Sequence, residues 1–546
     1  GSLTKGLVVR LDPAVSVEQM AVGRYVVVHG RERKFFGMVT DIRLGTAHPD
    51  IAGSPPGEED DLLNAVLAGT GTYAEIDVAT MLTIAHQDEG SAIVTPQPVK
   101  TVPTHFSASA DATEADVASV FGGDDADHFH IGEPLDMDTK VYLNVNRLVE
   151  RSSGIFGKSG TGKTFLTRLL LIGITQKKAA VTLVFDMHNE YGWAGTSEGN
   201  TRTVKGLKQL YPARVVIFTL DEQSSRQRRV PFDHVVEIGY DQIGPEEMDL
   251  LREAFDMTDA QIESIHRLAR IYGADKWLAR FIDLEAADRE ALAAEQGLNS
   301  GTLNVLHRKL EHRLTRLAFL RPKARDNSVT RILESLRSGR HVVLEFGRHR
   351  SLDAYILVAN ILTRHIHERY VEATEQAMGD NAALPPPLVI TIEEAHKFLS
   401  PAVAGLTTFG TIAREMRKFN VTLLVVDQRP SGIADEVMSQ IGTRITCLLD
   451  DEKDINAVLS GVPNGQSLRS VLSKLETKQQ AIILGHAVPM PVVIRPRTYG
   501  TPASYEELTS GDRAGGTSSA LDVDGIIDVE TERRRRSLKA VEDLFE

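Results

Sequence analysis

The sequence contains very little cysteine and tryptophan, and it lacks any long apolar run. Its single cysteine, Cys447, excludes an intrachain disulfide and a thiolate-rich metal site. No stretch reaches about 18 consecutive apolar residues, which excludes an ordinary membrane span. The first twenty residues also lack the basic-then-apolar pattern of a secretion signal. We therefore expect a soluble, cytoplasmic protein.

The composition is that of an ordinary globular protein with an acidic excess. Its 546 residues include 61 Lys and Arg against 75 Asp and Glu, which gives a net charge of −14. An acidic total disfavours a protein whose whole surface binds nucleic acid. It still allows basic side chains to be concentrated in a ring or a cleft. At about 150 residues per domain, the length predicts three or four structural units.

The first part of the chain is rich in short β-strand patterns. Residues 1–106 contain β-branched and aromatic runs broken by Gly or charge, among them 25–29, 35–39 and 92–94. Several short strands at this spacing predict a small β-barrel. Residues 107–140 are rich in Ser, Ala, Asp and Gly, and we expect an acidic connector or a weak helix there.

The rest of the chain predicts an α/β fold. In residues 141–244 and 338–510, apolar runs of four to six residues alternate with helical segments, which predicts a parallel sheet covered on both faces. Residues 245–337 are helical in pattern and too long for a simple connection, so we predict an inserted helical subdomain. Residues 481–494 suggest a closing hairpin. Residues 511–546 are expected to form a linker and a C-terminal tail.

The strongest motif is a glycine-rich loop between a short strand and a helix, and it matches G-x-x-x-x-G-K-[ST] in full. Glycines let backbone N–H groups converge on a phosphate, and the helix that follows points its positive end at the anion. We expect Lys163 to reach the β- and γ-phosphates of ATP and Thr164 to ligate Mg²⁺. The predicted nucleotide-binding residues are Gly157, Lys158, Ser159, Gly160, Thr161, Gly162, Lys163 and Thr164.

Two acids end a later apolar strand, in the pattern of a Walker B strand. Glu393 is predicted to lie near the Mg²⁺ ion, and Glu394 is predicted to be the catalytic base that polarises the attacking water. The other interpretation is a strand that runs into a solvated acidic loop.

Gln428 follows the next apolar run. An amide at the end of a strand can hydrogen-bond both the γ-phosphate and the attacking water, so Gln428 is predicted to sense the nucleotide. The other interpretation is a capped turn, since Asp427, Pro430 and Ser431 all favour turns.

A basic helical face precedes that strand. Arg414, Arg417 and Lys418 are three or four residues apart and share this face. Such a face is usually solvated surface, but in a ring of subunits an arginine can reach the neighbour's γ-phosphate. Arg417 and Arg414 are the candidates. We interpret His188 and His396 as structural residues.

Together these motifs resemble the HerA family of hexameric ATPases, relatives of the FtsK DNA pumps. The resemblance covers roughly residues 5–500. The motifs that carry it occur in the family's order, at 157–164, 186–191, 392–396, 413–419 and 428–431.

The resemblance implies a RecA-like sheet in which the catalytic glutamate lies on a strand next to the P-loop strand. It also implies a homo-hexamer with nucleotide sites between subunits and a central pore that moves double-stranded DNA. In that arrangement Glu394 activates water, Gln428 is the sensor, and Arg417 or Arg414 acts in trans. Arg151 matches a basic family position that approaches the nucleotide.

Two departures from the family pattern affect these expectations. Met416 and Asn420 stand where glycines are common, which leaves open which arginine points across the interface. Asp427 replaces the small residue usual before the sensor glutamine, and we expect it to alter the hydrogen bonding there.

The resemblance implies partners, and two functions stay open. Family members generally act with a nuclease such as NurA in DNA-end processing, and bacterial ones with sirtuin-like or nuclease effectors in defence against phage. The barrel is the implied docking surface. One function is a ring-forming, ATP-dependent translocase or helicase on double-stranded DNA. Arg348, His349 and Arg350 are candidate pore contacts, and the other interpretation of these residues is a solvated loop. The alternative is an ATP-gated hexameric scaffold that activates an effector. A membrane-anchored conjugation-type ATPase is disfavoured, because the sequence shows no anchor.

Overall fold

The computed structural model describes residues 6–48, 51, 66–67, 71–85, 96–135, 137–196, 203–349, 351–380, 384–405, 407–462, 465–476 and 479–509. The predicted strand at 92–94, Arg350, and the linker and tail over 511–546 lie outside these residues. Among the described helices, none combines the length and the apolar content that crossing a membrane requires.

The N-terminal strands form an antiparallel sheet. They are β1 (Leu7–Arg10), β2 (Tyr25–His29), β3 (Arg33–Thr46), β4 (Thr72–Ala85), β5 (Gln97–Pro98) and β6 (Ser109–Asp111). Their order is β1–β4–β3–β2–β6, and β5 pairs with β4. The long β3–β4 pair contains two register shifts, between Phe36 and Gly37 and between Val39 and Asp41. Such bulges bend a strand and increase its twist, so this sheet curves.

The remaining strands build the large sheet and two short pairs. In chain order they are β7 (His128–Glu133), β8 (Val141–Asn144), β9 (Ser153–Phe156), β10 (Val181–Asp186), β11 (Ala194–Thr196), β12 (Thr203–Lys205), β13 (Val215–Thr219), β14 (His234–Val235), β15 (Ile238–Gly239), β16 (Leu320–Arg321), β17 (His341–Glu345), β18 (Leu388–Glu393), β19 (Val421–Asp427), β20 (Thr443–Thr446), β21 (Ala481–Gly485) and β22 (Val492–Pro496).

The large sheet has, within the described residues, the order β14–β13–β17–β10–β18–β19–β9–β20–β21–β22–β7–β8. Neighbours from β14 to β20 run parallel, and those from β20 to β8 run antiparallel. Every residue of β10, β18 and β19 is buried, as expected of strands covered on both faces. The predicted α/β class with a parallel-core sheet is confirmed, and the closing hairpin is β21–β22.

The helices alternate with these strands. They are α1 (Glu114–Phe121), α2 (Val145–Val149), α3 (Lys163–Lys177), α4 (Leu207–Leu210), α5 (Glu222–Arg228), α6 (Pro245–Leu250), α7 (Asp259–Tyr272), α8 (Trp277–Asp283), α9 (Ala286–Gln296), α10 (Ser300–Leu314), α11 (Ser328–Arg337), α12 (Leu352–Asp380), α13 (His396–Leu399), α14 (Thr408–Glu415), α15 (Asp435–Gln440), α16 (Glu452–Leu459), α17 (Gly465–Ser473) and α18 (Pro502–Thr509).

Helices α6 to α11 form the inserted helical region. Leucines at positions 303, 306, 310 and 314 of α10 are buried, which is the spacing of one helical face. Trp277 is fully buried, and its indole N–H donates to the Ile243 carbonyl at 3.0 Å. The region is anchored to α12, where Arg364 Nε donates to the buried Glu247 carboxylate at 2.9 Å.

The barrel sheet and the large sheet are joined directly. Tyr25 on β2 accepts a 3.1 Å hydrogen bond at its hydroxyl from Val493 N on β22, and Ser470 on α17 donates to the Thr40 carbonyl on β3 at 2.8 Å. Residues 107–140, expected as an acidic connector or a weak helix, contain α1 and also β6 of the barrel sheet and β7 of the large sheet.

Candidate functional site

The glycine-rich loop lies between β9 and α3, at the carboxyl edge of the parallel strands. Gly160 and Gly162 have φ of +79° and +96°, a region that L side chains rarely adopt, so the loop needs glycine there. Lys163 Nζ donates to the Lys158 carbonyl at 2.8 Å, which places the amine inside the curve of the loop. Burial lowers the pKa of Lys163, and the nearby carboxylates of Glu394, Asp427 and Glu393 oppose that shift. The motif residues are therefore brought together with the acids of β18.

The loop after β20 closes one side of the P-loop. Lys158 N donates to the Leu448 carbonyl at 3.1 Å, and Lys158 Nζ pairs with Asp450 Oδ2 at 2.7 Å. Cys447 is buried behind the loop, since a Cβ added at Gly157 would lie 2.8 Å from the Cys447 Cβ. The P-loop backbone is thus supported from the β20 side.

Glu393 and Glu394 occupy different environments although they are neighbours. Glu393 is 7% exposed, and its Oε1 accepts a 2.7 Å hydrogen bond from the Tyr191 hydroxyl. Burial, with Asp186, Glu190 and Glu394 nearby, raises the pKa of Glu393 to about 8. The side chain of Glu394 is about a quarter exposed, at 24%, and its φ of +50° is uncommon for a residue with a side chain. Glu394 faces the edge where the P-loop lies.

The strand order corrects one expectation about this edge. We expected the glutamate strand next to the P-loop strand, but β19 lies between β9 and β18. Gln428, which directly follows β19, therefore stands between the P-loop and Glu394. Its Nε2 donates to Glu394 Oε1 at 2.9 Å. Strand order depends on long-range pairing, which local apolar patterns do not encode.

Asp427 was expected to alter the hydrogen bonding of Gln428, but its hydrogen-bond partners are His396 and Arg429. Its carboxylate is buried and accepts from His396 N at 2.6 Å, from His396 Nδ1 at 2.9 Å and from Arg429 N at 2.7 Å. The Asp427 carboxylate therefore bonds to the loop that follows β18 and not to the Gln428 side chain. The sequence reasoning missed this pairing, and it also missed Tyr191, which lies 202 positions from its partner Glu393.

A cavity of about 240 Å³ opens beside the P-loop. Thr161, Gly162 and Phe165 line one side, and Tyr499 lines the other, with its ring in an edge contact to Phe165 at 5.9 Å between centroids. Arg495 and Gln480 are also at its wall. An aromatic and polar cavity that continues from a phosphate loop has the composition of a ligand pocket.

Two family models match the sequence. The model described as Helicase HerA, central domain, matches residues 129–366, and the model described as HAS barrel domain matches residues 1–92. Over these residues the chain matches the HerA family. The resemblance drawn from the motifs is thus confirmed, as is the N-terminal barrel.

Three curated HerA relatives carry the name DNA double-strand break repair helicase HerA. The protein of Saccharolobus solfataricus is 26% identical over 390 residues, which are 70% of this chain and 71% of the relative. That of Sulfurisphaera tokodaii is 25% identical over 389 residues, with 70% and 71% covered. That of Pyrococcus furiosus is 22% identical over 388 residues, with 66% and 67% covered. Among solved structures, VirB4 of Thermoanaerobacter pseudethanolicus has a TM-score of 0.45 at 13% identity, over 70% of this chain and 99% of that one.

The arginines of this chain lie away from its own P-loop. Arg151 precedes β9 and Arg417 precedes β19, so both are at the amino edge of the parallel strands. The carboxyl edge is about 13 Å away along β9 and about 23 Å away along β19. The pKa of Glu150, at this edge, is lowered by its hydrogen bond with His486 and then by the charges of Arg147 and Arg417. Arg417 therefore lies near Glu150 at the amino edge. Arg151 packs its stem on Gly442, and Arg414 pairs with Glu436 at 3.9 Å. A contact of these arginines with nucleotide requires the P-loop of another subunit.

The site residues fit a nucleotide with Mg²⁺. Glu393 Oε2 is buried without a hydrogen-bond partner among the described residues, so an acceptor is left for a ligand. Within the described part of the chain, no group of three or more His, Cys, Asp or Glu side chains could hold a metal by itself. Mg²⁺ in phosphate-binding sites is usually held by one or two protein oxygens together with phosphates and waters. Thr164, in the first turn of α3, and Glu393 suit that role.

Two of the candidate pore contacts, Arg348 and His349, have partners within the fold. Arg348 Nε donates to Asp221 Oδ2 at 2.8 Å, and its guanidinium also reaches Gln223 at 2.8 Å. His349 packs its ring edge-on against Phe319 at 5.2 Å, and burial lowers its pKa. Arg348 nevertheless stays exposed, at 58% of its side chain, and His349 is half-buried. Their role as pore contacts therefore stays a prediction, and the pairing with Asp221, 127 positions away, was not predicted from the sequence.

Proposed function

We propose that this chain is the motor subunit of a ring that hydrolyses ATP with Mg²⁺ and moves double-stranded DNA. The observation that carries the proposal is the convergence of Lys163, Glu394 and Gln428 at one edge of the parallel sheet. The relatives named as DNA double-strand break repair helicases support DNA as the substrate.

Each residue of the edge has a role in hydrolysis. Backbone N–H groups of the P-loop and the Lys163 amine bind the β- and γ-phosphates, while the cavity beside Phe165 receives the adenine ring of ATP. Thr164 and Glu393 hold Mg²⁺, which neutralises negative charge on the phosphates when it is bound. Glu394 accepts a proton from the attacking water.

Gln428 is the sensor of this reaction. Its amide bonds Glu394 at 2.9 Å and stands between that residue and the P-loop, so the same side chain can report the γ-phosphate to the base. This position supports the assignment better than a turn-capping role, because the capping is done by Asp427 through Arg429 N.

The subunits form a homo-hexamer with nucleotide sites between them. The amino edge carries Arg151, Arg414 and Arg417, and the carboxyl edge carries the P-loop, so a head-to-tail contact places one edge against the other. Arg417 is exposed, whereas Arg414 is half-buried beside Glu436. We therefore assign the trans arginine finger to Arg417 in preference to Arg414.

The barrel is the docking site for a partner nuclease or a sirtuin-like or nuclease effector, in DNA-end processing or defence against phage. Its sheet is joined to the ATPase unit through Tyr25 and Thr40, which supports a coupling between the partner and the motor.

The alternative is an ATP-gated hexameric scaffold that activates an effector with little DNA translocation. One observation bears on it: the carboxylate of Asp221 offsets the charge of Arg348, a candidate pore contact, through an ion pair at 2.8 Å. The net charge of −14 points the same way.

Steady-state ATP hydrolysis, with and without linear double-stranded DNA, tests the proposal and separates the two functions. A motor predicts several-fold stimulation by DNA, and a scaffold predicts a rate that DNA leaves unchanged. Lys163→Ala is the control for a contaminating ATPase. Hydrolysis that survives in this variant would mean that the P-loop is not the site of the reaction.

A further inference from the structure

Asp427 and His396 form a hydrogen-bonded pair beside Glu394. The Asp427 side chain is fully buried at the end of β19, and both of its oxygens lie within 3.1 Å of His396 Nδ1. An ionised carboxylate can only accept hydrogen bonds, so Nδ1 must carry a proton. The imidazole is thereby fixed in one orientation, with its other nitrogen directed away from Asp427.

That other nitrogen faces the proposed base. His396 Nε2 lies 3.9 Å from Glu394 Oε2, while Gln428 Nε2 donates to Glu394 Oε1. The Glu394 carboxylate is thus flanked on both oxygens by different side chains. The hydrogen bond that His396 donates to Asp427 raises the pKa of His396 against the opposing effect of burial, which favours a proton on Nε2 as well.

We propose that His396, held by Asp427, is a positioning residue that orients the Glu394 carboxylate toward the attacking water. The inference rests on the proposed role of Glu394 as the base. A general base must be held within hydrogen-bond reach of the proton that it takes, so the orientation of its carboxylate matters directly.

Glu394 needs such a partner because Gln428 holds only one of its two oxygens. The Gln428 amide has two N–H groups and can bond Glu394 Oε1 and the γ-phosphate together, but neither bond fixes Oε2. The backbone of Glu394 has a φ of +50°, a sparsely populated conformation that costs conformational energy. His396 then remains as the group beside Oε2, and closing by about 1 Å completes a hydrogen bond.

Two replacements of His396 separate positioning from a purely structural role. In His396→Gln the amide nitrogen replaces Nε2 and still faces Glu394, while the bond to Asp427 is lost. In His396→Asn the amide replaces Nδ1 and keeps the bond to Asp427, while the group facing Glu394 is lost. If His396 only ties down Asp427, the Asn variant is the more active one. Positioning predicts the reverse.

The measurement is kcat and KM for ATP, with Mg²⁺, for the full chain and each variant. We expect His396→Asn to lower kcat by about 10- to 100-fold, the usual cost of removing a group that orients a reacting residue. KM should stay within about twofold, and His396→Gln should retain more of kcat than His396→Asn. His188→Gln, at an exposed histidine on the same edge, is the matched control.

Asp427→Asn adds a coupling test. Asp427 also accepts from two backbone N–H groups, so its own variant has a separate cost. If Asp427 orients Glu394 through the His396 side chain, the double variant with His396→Asn should lose less kcat than the product of the two single losses. Multiplicative losses, a wild-type kcat in His396→Asn, or a change confined to KM would each overturn the proposal. His396 is 31% exposed, so its variants should fold even if Asp427→Asn does not, and they decide the question alone. Absence of hydrolysis by the unaltered chain would instead refute the proposed function.

Discussion

Gln428 and Glu394 follow neighbouring parallel strands, and the Gln428 amide donates to one Glu394 oxygen at 2.9 Å. Two side chains that are 34 positions apart in the sequence therefore act as one unit at the phosphate edge. Any change in one of them alters the environment of the other.

Glu394→Gln should bind ATP and fail to turn it over. The amide oxygen can still accept the hydrogen bond from Gln428, so the edge should keep its shape, but an amide cannot accept a proton from water at neutral pH. We expect kcat to fall by about 10²- to 10⁴-fold, with ATP binding by calorimetry within about threefold of wild type. Glu375→Gln, an exposed acid on α12, is the matched control. Loss of binding would make Glu394 a structural residue.

Mixed rings test whether Arg417 acts across the interface. Arg417→Ala and Lys163→Ala subunits should each be inactive alone. Mixing them in equal amounts should restore activity at about a quarter of the interfaces, where an intact P-loop meets an intact arginine. The measurement is ATP hydrolysis after mixing and reassembly. No recovery would remove Arg417 from this role, and the same experiment with Arg414→Ala would then decide whether Arg414 takes it.

Phe165→Ala tests whether the cavity beside the P-loop receives the adenine ring of ATP. Removing a ring from this wall should weaken ground-state and transition-state binding alike, so we expect KM for ATP to rise by about tenfold with little change in kcat. Phe106→Ala, at a fully exposed phenylalanine, is the control. An unchanged KM would mean that the adenine ring binds outside this cavity.

The stability of the fold should fall in acid because of His341. This residue is 3% exposed, and burial, with Arg214 nearby, lowers its pKa from 6.5 to about 4. Between those values the unfolded chain binds a proton that the folded chain does not, so the stabilisation present above pH 6.5 is lost as pH falls toward 4. The loss amounts to ~3 kcal/mol from this one group.

Denaturant unfolding at several pH values measures this effect. His341→Gln should flatten the dependence between pH 6.5 and 4, whereas a replacement of the exposed His188 should not. Parallel curves for wild type and His341→Gln would show that other groups control the acid sensitivity.

The sequence predicted what local pattern encodes. Buried runs marked the parallel strands β10, β18 and β19, and the glycine spacing located the P-loop, because both depend on neighbours within a few residues. It did not predict that β19 separates β9 from β18, nor that Asp221 would engage Arg348. Those relationships join distant segments, and no periodicity records them.

The unusual residue Asp427 is an intermediate case. Its type departed from the family pattern, so the sequence indicated that something differed at that position. The partner was His396, 31 positions earlier, and the structure was needed to identify it. An unusual residue type can show where an interaction lies without identifying the residue that completes it.

The P-loop and the barrel are connected by a short stretch of chain. Asp450 pairs with Lys158, and about twenty residues later Ser470 bonds to Thr40 of the barrel sheet, with α16 and α17 between them. If a molecule clamped on the barrel shifts these helices, it changes the affinity for nucleotide. Thermodynamic linkage then requires that nucleotide change the affinity for that molecule by the same factor. Nucleotide binding at the P-loop and binding at the barrel would then be linked, so a change in the affinity at one site would alter the affinity at the other.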